Sequence, residues 1–230
     1  SISVVFFIDK GLKRCQQMFA DLNRYAVRPS KSLGLLYDHR DDEAHITRTL
    51  AMKSTTFAGL VEMERSSLSA RSRKLFTLSA IHYANNALLS GNKVDDIESA
   101  ILTSIQFWDE LGKHIKEWHL VRDSRITSGE IRQDFVHCHS IMLHAIGLMG
   151  SKLLRLPKAE QNKRLKLLNK INWKRSNSET WEGRAMLGGR IQKASNNVTL
   201  STIYLKQQLN LELTPEEQRT EDAFNRGENG

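Results

Sequence analysis

Only three prolines and no low-complexity stretch interrupt the 230 residues. Nothing in the chain therefore marks a flexible linker, and the 40% hydrophobic content suffices for one substantial core. There are two cysteines, Cys15 and Cys138, far apart and without CxxC spacing. That excludes a disulfide framework and a thiolate zinc site; both thiols fall in apolar helical patterns and read as buried, inert groups. No apolar run reaches the roughly 18 residues of a membrane span, and no charged-then-apolar leader stands at the start. A cytoplasmic protein is expected.

What the chain does have is positive charge, +8 in total and unevenly spread. Residues 151–206 hold 13 Lys/Arg against three Asp/Glu, more than the whole net surplus, while residues 207–230 hold two against six. From Lys152 to Arg175 the cations alternate with Leu153, Leu154, Leu165, Leu167, Leu168 and Ile171, the pattern of an amphipathic basic helix pair with a positive outer face. A polyanion is the natural partner of such a surface, and nucleic acid comes first.

The stretch from Gln16 to Asp42, QQMFADLNRYAVRPSKSLGLLYDHRDD, concentrates the features that matter most. Met18, Phe19 and Leu22 form one helical face, and Pro29 ends the helix near Tyr25 or Ala26. A polar loop with Arg24, Arg28, Ser30, Lys31 and Ser32 then follows, and Arg40 is close. Guanidinium groups chelate phosphate oxygens while hydroxyls and main-chain N–H groups add directional bonds. A second docking place is the connection at residues 67–74, with Arg71 and Arg73; Lys174, Arg175, Arg184, Arg190 and Lys193 extend the set.

That stretch resembles the DndB family of bacterial DNA sulfur modification proteins, a group with a DGQHR domain. So do TTFAGLVEMERSSLSARSRKLFTLSAI (55–81), SGEIRQDFVHCHSIMLHAIGLMG (128–150) and WEGRAMLGGRIQKASNNVTLSTIYLK (181–206). The DGQHR motif itself is absent, so the chain reads as the portion following it. The resemblance implies an N-terminal strand and helix, residues 1–66, from a ParB/sulfiredoxin-like α/β unit, and a helical domain over residues 67–230. The expected class is α+β, predominantly α-helical. It further implies a repressor-type transcriptional regulator that binds double-stranded promoter DNA of the modification genes. Other modification proteins are further partners, and no cofactor is implied. The oligomeric state is open, a homo-oligomer included.

Along the chain, Ile2–Ile8 reads as a covered strand. Residues 55–66 read as an exposed strand or hairpin edge. Asp41, Asp42 and Glu43 start a helix at His45, and a 3.6-residue period carries residues 75–89. From Asp95 a stripe through Trp108 and Trp118 predicts one long core helix. Thr127 or Ser128 caps a helix reaching Leu154. On such a helix His137 and His139 point about 200° apart, the wrong geometry for a shared metal. Gly188-Gly189 suggests a backbone nest for an anion. Asn196, Asn197 and Thr199 open a helix whose first turn is suited to a groove. The acidic tail reads as peripheral. No nucleophile, base and orienter assemble into a catalytic set. The competing enzyme reading, a nucleotide hydrolase or DNA-nicking subunit, would use the DGQHR region together with Asp38, His39 and Asp41, and a third reading is a scaffold that contacts other sulfur-modification proteins.

Overall fold

A computed structural model describes residues 11–24, 29–94 and 96–228. Among them are twelve α-helices and two small sheets, 60% helix, so the class is α+β and predominantly α-helical. The helices are α1 Leu12–Arg24, α2 Lys31–Tyr37, α3 Asp42–Lys53, α4 Leu78–Leu89, α5 Ile97–Gly112 and α6 Lys116–Arg122. They continue with α7 Ser128–Asp134, α8 Ser140–Leu153, α9 Lys158–Leu165 running into a 3-10 turn at Lys166–Lys170, α10 Ser178–Trp181, α11 Ser195–Gln208 and α12 Pro215–Asn225. Strands β1 Val61–Glu62 and β2 Phe76–Thr77 pair in parallel, and β3 Met186–Leu187 and β4 Arg190–Ile191 form a hairpin. The strand expected at Ile2–Ile8 lies outside the described residues.

Local chemistry starts several helices where the sequence places them. Asp41 accepts from Glu43 N and Ala44 N, Asp96 accepts from Ser99 N, and Thr127 and Thr214 each close a capping box with a glutamate three residues on. Other expectations are corrected. Residues 31–37 form a helix capped by Ser30, not a loop. The strand expected within residues 55–66 is present at Val61–Glu62, but it pairs in parallel with a strand of the core and is neither exposed nor a hairpin edge. The long helix from Asp95 breaks at Lys113, and the helix expected through Leu154 breaks at Phe135–His139. Cys138 is buried as expected, but Cys15 is exposed.

The core is built around α4 and α8, which run side by side in one direction. Gly147 lies on Ala84, Gly150 on Leu88, and Ser151 Oγ donates to Ser90 O at 2.7 Å. Glycine is required at 147, because a Cβ there would stand 2.0 Å from the Ala84 carbonyl oxygen. An aromatic cluster closes one side: Phe76 packs edge-on to both Phe57 (5.3 Å) and Trp118 (5.1 Å). Trp108 and Trp118 are core residues, as the periodicity predicts, and their N–H groups are paired inside. Trp108 Nε1 donates to Asn85 Oδ1 at 3.1 Å and Trp118 Nε1 to His137 Nδ1 at 3.0 Å.

Candidate nucleic-acid interface

The connection at 67–74 has no regular structure of its own, and α7 organises it. The Arg132 guanidinium donates to the carbonyls of Ser69 (2.8 Å), Ala70 (3.1 Å), Ser72 (3.3 Å) and Lys74, while Ser128 Oγ donates to Arg73 O at 2.6 Å. With the backbone carbonyls gathered on Arg132, the side chains of Arg71 and Arg73 are left exposed. They line a cleft of about 530 Å3 together with Ser124, Ile126 and Thr127. Burial lowers the pKa of Arg132 from its ordinary value, against a smaller opposing effect of Cys138. An arginine still stays charged at any physiological pH.

A second basic segment crosses the end of α7. Phe135 and Lys174 form an antiparallel bridge, Val136 N donates to Trp173 O at 3.0 Å, and Arg175 N donates to Asp134 O at 2.7 Å. The Arg175 guanidinium spans to Gln133 O (2.9 Å) and to Gly189 O (2.7 Å) in the β3–β4 turn. Lys174 is exposed beside it. Lys174 and Arg175 line a cleft of about 660 Å3 that shares Ile126 with the first. A third cleft, about 320 Å3 and lined by His114, Lys116, Glu117, Lys170 and Asn172, shares Phe135 and Lys174 with the second. Three clefts thus adjoin one another through shared lining residues, with exposed Arg71, Arg73, Lys116, Lys170 and Lys174 along them. Such a strip suits the spaced charges of a phosphate backbone.

The electrostatics on this side agree. Burial lowers the His139 pKa to about 4 against a hydrogen bond to the Arg132 carbonyl, and the charges of Arg175, His137 and Lys193 push the same way as burial. Lys193 and Arg132 line a further cleft with His139. Burial likewise pushes the Cys138 thiol up to about 12, so it is protonated and inert. His137 and His139 do not converge: one accepts from Trp118, the other faces the Arg132 carbonyl at 2.9 Å.

The remaining expected contacts divide sharply. Lys31, Arg40, Arg190 and Lys193 are exposed. Arg24 ends α1, and Arg28 lies outside the described residues. Ser30 is spent as the α2 cap, accepting from Leu33 N at 3.1 Å and donating to Glu64 O. Ser32 is withdrawn from the interface: it is fully buried, and its hydroxyl accepts from Ser79 N at 3.1 Å. Arg184 is withdrawn too, because its guanidinium is buried in a fork with Glu221 at 2.8 and 2.5 Å, under the Phe224 ring. The tail is therefore anchored rather than peripheral, by this pair and by Lys206 with Glu217. The anion nest at Gly188-Gly189 exists, with both φ positive, but the Glu182 carboxylate fills it by accepting both N–H groups. Asn197 is tied to Gly183 O at 3.1 Å, which leaves Asn196 and Thr199 exposed on the first turns of α11. Asp41 is a helix cap and Asp38 Oδ1 accepts from Arg40 N, so these acids do local structural work. Sequence reasoning missed Lys116 as a surface cation and Arg132 as the loop's organiser. Nothing local distinguishes an arginine that collects carbonyls from one that meets solvent.

No helix among the described residues is long and apolar enough to cross a membrane. A family model described as DndB, DNA-sulfur modification-associated, matches residues 1–212. Neither a curated protein nor a solved structure matches.

Proposed function

The chain belongs to the DndB family of DNA-sulfur modification-associated proteins, and on that premise we propose that it is a DNA-binding regulator of that modification system. It binds double-stranded DNA at the promoter of the modification genes and represses them, acting in the cytoplasm beside the other modification proteins. One observation carries this reading: the run of adjoining clefts bearing Arg71, Arg73, Lys174 and Arg175, with Lys116 and Lys170 continuing it. Phosphate contacts come from the exposed cations among these, with Arg175 bracing the strip through the Gln133 and Gly189 carbonyls, and Lys193, Arg190 and the first turn of α11 stand near enough in sequence to extend the contact. The proposal assigns this chain no reaction and no cofactor.

A mobility-shift titration on promoter and scrambled duplexes at several salt concentrations tests it. Neutralising about six phosphates gives a slope of log affinity against log salt near −5, and the promoter duplex binds more tightly than the scrambled one. Affinity that stays flat with salt would refute the electrostatic interface. Equal affinity for both duplexes would refute the regulator.

A further inference from the structure

Six buried polar side-chain atoms among the described residues make no hydrogen bond of good geometry, and three of them gather in one place: His114 Nε2, which stands 3.7 Å from a Glu110 oxygen, His137 Nε2, and Trp173 Nε1. His114 and Trp173 line the 320 Å3 cleft with Glu117, Lys170 and Lys174. His137 adjoins it, 3.5 Å from a Glu117 oxygen and edge-on to Trp173 with ring centres 5.7 Å apart. Native proteins leave few buried polar atoms unpaired, so the unpartnered Trp173 N–H beside two loosely held imidazoles marks a place shaped by something other than packing.

Glu117 is the acidic residue of this cleft's lining. It is 7% exposed, and its contact with His137, at 3.5 Å, is long for a hydrogen bond. Burial works to raise its pKa, but the His137 N–H, its own backbone N–H and the charge of Lys116 outweigh burial and hold it below the ordinary glutamate value. The group is therefore ionised at neutral pH and can only accept hydrogen bonds. Among the described residues, no other residue gives its oxygens a hydrogen bond closer than the 3.5 Å His137 contact, and they therefore keep lone pairs for a further donor. Around it, Phe135 and Trp173 supply apolar walls, and Lys170 and Lys174 are exposed.

A fitting ligand needs an N–H donor for Glu117, negative charge for the lysines and a flat body for the aromatic walls. Inorganic phosphate lacks the first, and a polyamine lacks the second. We propose that this cleft is a subsite for one unstacked nucleotide, in which Glu117 accepts from the exocyclic amino group of cytosine, adenine or guanine while Lys170 and Lys174 hold the phosphate. A glutamate accepting from an exocyclic base amine is an established form of direct readout, and unstacked bases are read on their edges in just such pockets. Thymine is disfavoured, because two carbonyl oxygens flank its single N–H and repel the carboxylate. The site continues the basic strip through Lys174, and so rests on the DNA-binding reading only for where the nucleotide comes from.

Calorimetric titration of the full chain with dCMP, dAMP, dGMP and dTMP tests this without any duplex. The three amino-bearing nucleotides bind roughly tenfold or more tightly than dTMP, the discrimination a single base-edge contact provides. Glu117→Gln narrows that gap to under about threefold. Lys170→Ala, at an exposed position that does not threaten folding, weakens all four by a common factor. Equal binding of dTMP and the others, binding of inorganic phosphate as tight as any nucleotide, or no binding by any of them overturns the proposal. Duplex binding in the mobility-shift assay is read separately, so either reading can fail while the other stands.

Discussion

Lys174 and Arg184 stand ten residues apart in the same basic block and end in opposite surroundings. Lys174 is exposed at the junction of two clefts, whereas Arg184 is 7% exposed, clamped by Glu221 and covered by an aromatic ring. Acids delivered by α12 make the difference, since Glu217 and Glu221 neutralise Lys206 and Arg184. A surplus of cations along a chain is thus an upper bound on the positive surface it builds. The part of the block that meets α12 becomes structure, and Lys174, which meets the end of α7, stays exposed.

The largest effect expected from breaking this contrast is on stability. Glu221→Ala leaves the Arg184 charge buried without its partner and costs about 3–5 kcal/mol, read as a lowered urea midpoint. Lys174→Ala, in open water, shifts the same midpoint by less than about 0.5 kcal/mol. The reverse ranking would mean that the two regions are misassigned.

Next comes acid sensitivity on the interface side. Because the folded-state pKa of His139 is depressed from 6.5 to about 4, the unfolded chain binds a proton in this window that the folded chain refuses. Above pH 6.5 the two states are alike at this residue; as pH falls from 6.5 toward 4, stability drains away by about 3 kcal/mol and then levels off. Denaturation curves at stepped pH measure it, and His139→Gln should flatten the dependence in that range. A His139→Gln profile as steep as the parent would show that the acid loss arises elsewhere.

The smallest effect sharpens the contrast most. Arg73→Ala and Lys174→Ala should each reduce the salt slope of duplex binding by about one, because each removes one counterion-releasing contact. Lys163, exposed on α9 and 3.5 Å from Glu160, is the control: Lys163→Ala should leave the slope unchanged. Identical slopes for all three variants would mean that the adjoining clefts do not hold the phosphates.

Several structural features were legible from residues alone, and they share one property. Asp41, Asp96, Thr127 and Thr214 start helices through side chains that bond two or three positions on, and the tryptophan stripe declares burial by its period. What misled was treating polar or charged residues as surface by type. Ser32 looked like a phosphate ligand, yet its hydroxyl serves Ser79 N, 47 residues away. Gly188 and Gly189 looked like an open anion nest, yet Glu182 already occupies it. The breaks at Lys113 and at Phe135–His139 were invisible because the apolar period runs through them; bonds such as Val136 N to Trp173 O replace helical ones there.

The sequence by itself determined the predominantly helical class, the helix caps, the aromatic core and the family, because each depends on near neighbours or on ordered strings of residues. Only the tertiary structure decided which cations face water. That choice rests on partners far along the chain, Glu221 for Arg184 across 37 residues and the carbonyls of Ser69 to Lys74 for Arg132 across about 60. No local pattern encodes such distances; they follow from how the helices pack.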